Sequence, residues 1–397
     1  MTRRDHRVEG TKIVRRRAVT AVLAAGTLLL TAGCSSDDAG PPGATSRGAP
    51  SAPATPSPRA TEETPPAKGT VTVVRTVAEG LRSPWGIAPI PDGDLLVASR
   101  DEGTITRVDP DTGRKTELGE VSGVEPGGEG GLLGIALSPD YAADHMIYAY
   151  FTSASDNRVV RMIYDENKPA GEQLGAPDTL FKGIPKGVIH NGGRIAFGPD
   201  RMLYVGTGET GDRGLAQDED SLGGKILRLT PEGEPAPGNP SADSPVYTLG
   251  HRNVQGLAWD RKQRLFASEF GQDTWDELNA IKPGDNYGWP EVEGRSGDGD
   301  YHDPIAQWRP EEASPSGIAY AEGSVWMACL RGNRLWRIPL KGTETSAQPQ
   351  AFLTGEYGRL RTVVAAGGDR LWVATSNTDG RGDPRKGDDR ILELRVS

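Results

Sequence analysis

Apolar positions along most of the chain come in short runs bounded by Gly, Pro, Asp and Asn, and a 3.6-residue helical period is almost absent. One unit recurs: a short apolar strand, a turn, a second strand rich in Val, Leu and aromatics, and often a third. It begins at Gly86-Ile87-Ala88 and returns at Gly134-Ile135-Ala136, Arg194-Ile195-Ala196, Gly256-Leu257-Ala258, Gly317-Ile318-Ala319 and Val363-Val364-Ala365, at spacings of 48, 60, 62, 61 and 46 residues. Second strands follow, as in Met146-Ile147-Tyr148-Ala149-Tyr150 and Arg370-Leu371-Trp372-Val373. Turns such as Pro91-Asp92-Gly93-Asp94 and Gly198-Pro199-Asp200 preset the backbone angles between them.

Six such units predict an all-β fold, a six-bladed β-propeller, with the first strand of each blade lining a central channel. Residues just beyond the strand ends then converge at one mouth. Closure is expected from Gly69–Val74 beside the last strand, Arg390–Leu394. Two separate β-sandwiches would not explain one motif repeated six times.

The first 68 residues break the pattern. Arg15, Arg16 and Arg17 precede a 13-residue apolar run, Ala18 to Leu30, too short for a mature membrane span. Leu30-Thr31-Ala32-Gly33-Cys34 resembles a bacterial lipobox, which implies a signal peptide over 1–33 and lipidation of Cys34. Residues 34–68 carry eight prolines among Ser, Ala, Thr and Gly and read as a tether, leaving 69–397 for the propeller. The expected location is extracytoplasmic, held to the membrane through the lipid alone. Cys329, in the apolar run Val325–Leu330, is expected to be a buried thiol.

Charge narrows the partners. The 397 residues hold 45 basic and 55 acidic side chains, and those after residue 68 hold 35 against 49. Such an acidic body is unsuited to nucleic acid. There is no nucleophile elbow, CxxC pair or phosphate loop. Gly206-Thr207-Gly208-Glu209-Thr210-Gly211 fits a dinucleotide pattern formally, but lacks the βαβ setting that gives it meaning.

Polar residues at the blade junctions remain. His190 lies just before the third unit's first strand, and Glu209 just after its second. A hairpin between them would bring carboxylate and imidazole together, fixing one ring nitrogen and freeing the other as a base. His251, Arg252 and Asn253 occupy the equivalent position before the fourth unit. Arg331 follows a second strand, and Arg359 and Arg361 precede a first one. Four arginines aimed at one channel repel each other unless an anion neutralises them, although ordinary salt bridging between blades is the alternative. The acidic, turn-rich segments Glu269–Glu277, Ser296–Asp300 and Asp218–Asp220 offer hard oxygen ligands suited to calcium, or else are simply solvated.

The motifs His190-Asn191-Gly192-Gly193-Arg194, Leu249-Gly250-His251-Arg252-Asn253, Asp276-Glu277 with Asn286-Tyr287-Gly288-Trp289-Pro290, and Gly128-Glu129-Gly130-Gly131-Leu132-Leu133-Gly134 are similar, in order, to those of the soluble quinoprotein sugar dehydrogenases. The resemblance to this glucose/sorbosone dehydrogenase family covers about residues 70–396. It implies oxidation of aldose sugars to lactones with pyrroloquinoline quinone (PQQ) and calcium, electrons passing to an extracytoplasmic acceptor. By position it makes His190 the base, Glu209 its acidic partner and Arg252 a group beside the reactive quinone carbonyl. Glu129, Asn253, Arg331, Arg359 and Arg361 would face the cofactor. The carbonyls of Gly271 and Gln272 would hold one calcium, and Glu277 with the carbonyl of Tyr287 a second. Ile189, Glu129, Phe270 and Gln272 depart from the residues of the glucose-oxidising member. A non-catalytic carbohydrate- or protein-binding propeller, or a calcium-dependent lactonase, are the competing functions.

Overall fold

The six repeated segments fold as six antiparallel sheets in the computed structural model, which describes residues 64–297 and 299–397. The expected signal peptide, Cys34 and most of the tether lie outside the described residues. Inner strands are Pro84–Pro89, Leu132–Leu137, Ile195–Phe197, Val254–Trp259, Pro315–Ala321 and Leu360–Gly367. Each blade runs outward in chain order, so successive strands are hydrogen-bonded neighbours. Among the described residues, helix is limited to Tyr141–Asp144 and a 3-10 turn at Arg213–Ala216.

The sixth blade is shared between the two ends of the domain. Its outermost strand is Val71–Ala78, antiparallel to the last strand, Ile391–Val396, with Val71 opposite Val396 and Val73 opposite Leu394. The closure expected from the sequence is therefore the one that forms, shifted by a few residues. Residues 64–68 are engaged as well: the Pro66 carbonyl accepts from Arg337 Nη2 at 2.9 Å.

The Gly at the head of the repeat has a steric cause. A Cβ on Gly134 would stand 2.2 Å from the Gly193 carbonyl oxygen, and one on Gly256 2.4 Å from that of Ser316. At these glycines the neighbouring inner strands approach so closely that only a hydrogen fits. Further out, apolar side chains fill the wedges between blades. Phe266 and Leu278 meet Ile318, Val325 and Met327 between blades four and five. Trp326 meets Leu360, Leu371 and Leu394 between blades five and six. Cys329 is fully buried in the first of these wedges, as its apolar run predicts. At one end of the axis the inner strands of all six blades line an apolar cavity of about 300 Å³, including Ile87, Ile135, Ile195, Leu257, Ile318 and Val363. The polar residues gather at the other end.

Candidate active site

His190 sits on the loop that enters blade three, in a left-handed backbone conformation (φ 53°) that a non-glycine residue adopts only when held there. Two carboxylates hold it. Its backbone N–H donates to Glu129 Oε2 at 2.8 Å. Its ring Nδ1 lies 2.5 Å from Glu209 Oε1. A carboxylate only accepts, so Nδ1 carries the proton and Nε2 is left with its lone pair. Glu209 is nearly inaccessible; its other oxygen accepts from the Gly211 amide, and Arg252 Nε stands 4.0 Å from Oε1. The sequence-predicted hairpin pairing of His190 with Glu209 is thus present.

Arg252 leaves the adjacent loop, where its Nη1 donates to the Phe270 carbonyl at 3.3 Å and its guanidinium lies 5.4 Å from the Trp289 ring. Burial works against its charge, offset in part by Glu209. Asn253 gives its side-chain oxygen to the Gly192 amide at 2.9 Å. Arg361 donates to Gln255 Oε1 at 3.0 Å, and Arg359 and Arg361 both donate to Asp379 Oδ2, at 3.1 and 3.2 Å. Burial pushes Arg361 down to about 10, with Asp379 opposing the fall, so it remains a cation at neutral pH. Burial would raise Asp379, but the two guanidiniums win and hold it below the usual carboxylate range.

Arg331 is placed differently from its predicted companions. It is exposed and lines an outer cavity of about 320 Å³ with Arg359, Arg381 and Arg385. Glu129 also differs from a simple cofactor contact. Both its oxygens are engaged, one by the His190 amide and the other by Arg381 Nη1 at 2.6 Å. Burial disfavours its charge, but these two partners hold it in the ionised form.

Four groups escaped the sequence reasoning: Asp379, placed above, and three arginines. Arg100 Nη2 donates to the Asp379 carbonyl at 3.1 Å. Arg381 closes the mouth toward Glu129. Arg194, read as part of the repeat and of the His190 motif but given no role, is buried on the axis, where it stacks 4.3 Å from Trp85 and donates to the Gln255 carbonyl and to Thr362 Oγ1. Arg100 was findable, since it follows a second strand as Arg331 does. Asp379 lies several residues into a loop and left no such signal.

The two predicted calcium positions sit on blade four. The carbonyls of Gly271 and Gln272 accept no hydrogen bond among the described residues. Glu277 lies directly opposite Glu269 across the strands, both buried. Burial, then the Glu269 charge, pushes the Glu277 carboxyl up to about 8. His251 donates from Nδ1 to Glu269 and stacks on Tyr287 at 4.6 Å between centroids. Asn279 Oδ1 beside this pair has no partner. Among the described residues, no three His, Cys, Asp or Glu side chains form a metal cluster, so a cation here would lean on carbonyl oxygens. Asp218, Glu219 and Asp220 of the other acidic segments are exposed, and Asp298 lies outside the described residues.

Unmet hydrogen-bonding capacity marks the mouth as a ligand site. Arg252 Nε, Asn253 Nδ2, Trp289 Nε1 and Arg361 Nε are buried donors without an acceptor. Buried donors are normally satisfied, so a cluster of four calls for an acceptor-rich molecule. An anionic quinone bearing several carboxylates supplies such acceptors, and the residues present fit it.

Residues 81–384 match the family described as Glucose / Sorbosone dehydrogenase. The fold is similar to the PQQ-bound aldose sugar dehydrogenase of Streptomyces coelicolor, with 80% identity and a TM-score of 0.84 over 84% of this chain and all of that one. The quinoprotein glucose dehydrogenase B of Acinetobacter calcoaceticus is 32% identical over 57% of this chain and 54% of its own length, so the chain spans about half of that relative. An aldose sugar dehydrogenase of Escherichia coli is 27% identical over 77% of this chain and 91% of its own length.

Proposed function

The chain belongs to the Glucose / Sorbosone dehydrogenase family, and from that premise we propose that it is a PQQ- and calcium-dependent dehydrogenase that oxidises aldose sugars at C1 to lactones. The observation that carries this reading is the juxtaposition of the His190–Glu209 pair with four unsatisfied buried donors at one mouth. When bound, PQQ supplies the hydride-accepting quinone and calcium a Lewis acid. The protein's own part is position and charge. Nε2 of His190 takes the proton of the anomeric hydroxyl as the C1 hydride departs. Glu209 keeps the proton on Nδ1 beforehand and stabilises the imidazolium afterwards. Arg252 and Asn253 direct N–H donors toward the site where negative charge develops, in a dry setting where such donors act strongly. Arg359 and Arg361 would hold carboxylates of the cofactor, with Arg331 contributing from the rim. The free carbonyls of Gly271 and Gln272 would hold one cation. Glu277, with the Tyr287 carbonyl, would hold a second whose charge relieves the Glu269–Glu277 repulsion.

The same proposal includes export, lipidation at Cys34 and delivery of electrons to an acceptor outside the cytoplasm. Reconstituting the purified chain with PQQ and calcium, then following dye reduction over a panel of aldoses, tests the activity. Turnover with lactone formation is expected, and abolished in His190→Gln with quinone binding kept. Absence of both quinone binding and turnover would reject the reading. For the anchor, Cys34→Ala should move the protein from the membrane fraction into the medium.

A further inference from the structure

Glu293 has no part in the chemistry described so far, yet its Oε1 is the most heavily solicited oxygen near the mouth. It accepts the backbone N–H groups of four consecutive residues: Gln272 at 2.6 Å, Asp273 at 2.9 Å, Thr274 at 2.8 Å and Trp275 at 3.1 Å. Successive amides converging on one anion form a nest. The loop wraps so tightly that a Cβ on Gly271 would stand 1.8 Å from the Trp275 carbonyl oxygen and 2.7 Å from Glu293 Oε1.

The consequence follows from peptide geometry. The peptides of this loop are trans, and in a trans peptide the C=O of one residue points opposite to the N–H of the next. With the N–H groups of Gln272 and Asp273 turned onto Glu293, the carbonyls of Gly271 and Gln272 must point away from it. These two carbonyls accept no hydrogen bond among the described residues. The neighbouring residue extends the arrangement, since the Gly294 amide donates to Glu277 Oε1 at 2.7 Å.

We propose that Glu293 is a positioning residue which, by gathering the amides of 272–275, fixes the outward direction of the Gly271 and Gln272 carbonyls and thereby sets affinity for the calcium ion at the mouth. This rests on the reading that those carbonyls are calcium ligands. Glu293 acts through the loop and is not itself assigned as a ligand. Without its charge the four amides lose their common acceptor, the loop samples other turns, and the carbonyls are no longer held ready.

The test uses the full chain, titrated with calcium alone by calorimetry and with calcium in the presence of PQQ by absorbance. Glu293→Ala should raise the calcium concentration for half-maximal quinone binding by ~10- to 100-fold, as loss of an outer-shell partner typically does. Glu293→Gln, which keeps an acceptor oxygen, should fall between Ala and wild type. Saturating calcium should restore kcat, which a general loss of structure would not allow. Hydrogen exchange on the cation-free wild-type chain is the second measurement, needing no variant: the 272–275 amides should be protected. Unprotected amides there, or wild-type calcium affinity in Glu293→Ala, overturns the proposal while leaving the dehydrogenase reading intact. If the wild-type chain itself binds neither calcium nor PQQ, the dehydrogenase reading fails first.

Discussion

Glu209→Gln is the sharpest perturbation available, because it preserves volume in a site where the side chain is only 1% exposed. Glu209 serves two donors, His190 Nδ1 on one oxygen and the Gly211 amide on the other. A carboxamide has one acceptor to offer. With its oxygen toward His190, its NH2 faces the Gly211 N–H, donor against donor. Turned round, its NH2 faces Nδ1, which must then give up its proton to Nε2, and the base loses its lone pair. A buried unsatisfied donor costs about 1–3 kcal/mol, and a hydrogen bond to a charged group contributes about 1.5–3 kcal/mol. The first cost falls on ground and transition states alike; loss of the second destabilises the imidazolium formed in turnover by about 1.5–3 kcal/mol, or roughly 10- to 150-fold in kcat. Full population of the wrong tautomer extends this toward ~10⁴, the scale seen when an orienting carboxylate is neutralised in a catalytic triad. Arg252 stands 4.0 Å from Glu209 Oε1 and would lose a nearby negative charge, so affinity for an anionic quinone should be unchanged or slightly higher. Steady-state dye reduction at saturating PQQ and calcium gives kcat and KM, and absorbance titration gives quinone affinity. A kcat within about 3-fold of wild type would refute the assignment of Glu209 as the partner of the base.

Other expectations follow from different parts of the molecule. Arg361→Met with Arg359→Met should abolish PQQ binding in the same absorbance titration while the circular dichroism spectrum stays that of the wild type. Trp326→Ala removes a fully buried indole from the wedge between blades five and six and should lower unfolding free energy by about 3–5 kcal/mol in urea. Asp379 has a depressed folded pKa, so its stabilising effect is complete above its unfolded value of 3.8 and is lost as pH falls through the lower folded one. Urea denaturation of the cation-free protein between pH 5 and pH 2 should therefore show a steeper loss for wild type than for Asp379→Asn. Removing calcium with a chelator should lower the melting temperature and release the quinone, and calcium should reverse both.

The sequence carried the ring because steric demand repeats. Crowding at the axis writes Gly-Ile-Ala into successive blades, and the wedges between blades write the apolar second strands. His190, Glu209, Arg252, Asn253, Arg359 and Arg361 were legible because strand ends lead to the mouth. Arg331 obeys the same rule yet ends on the exposed rim, because the residue beyond a strand end can turn outward as readily as inward. Arg381, Asp379 and Glu293 reach the site from loops whose path depends on tertiary hydrogen bonds, such as Glu293 closing on residues about twenty positions earlier. No local periodicity records such a path. Arg194 was visible as a departure from Gly in the repeat, but only the axial stack on Trp85 reveals what the substitution serves.

The pairing of Val71–Ala78 with Ile391–Val396 makes the residues of that late strand a quality gate for the whole ring. Until they are translated, five blades stand as an open arc with two raw sheet edges, each able to recruit a second chain. A nonsense mutation between Thr375 and Ile391 would remove this strand and yield a sticky crescent rather than a slightly shortened enzyme, and any sequence fused after it needs a spacer that leaves this seam free to zip.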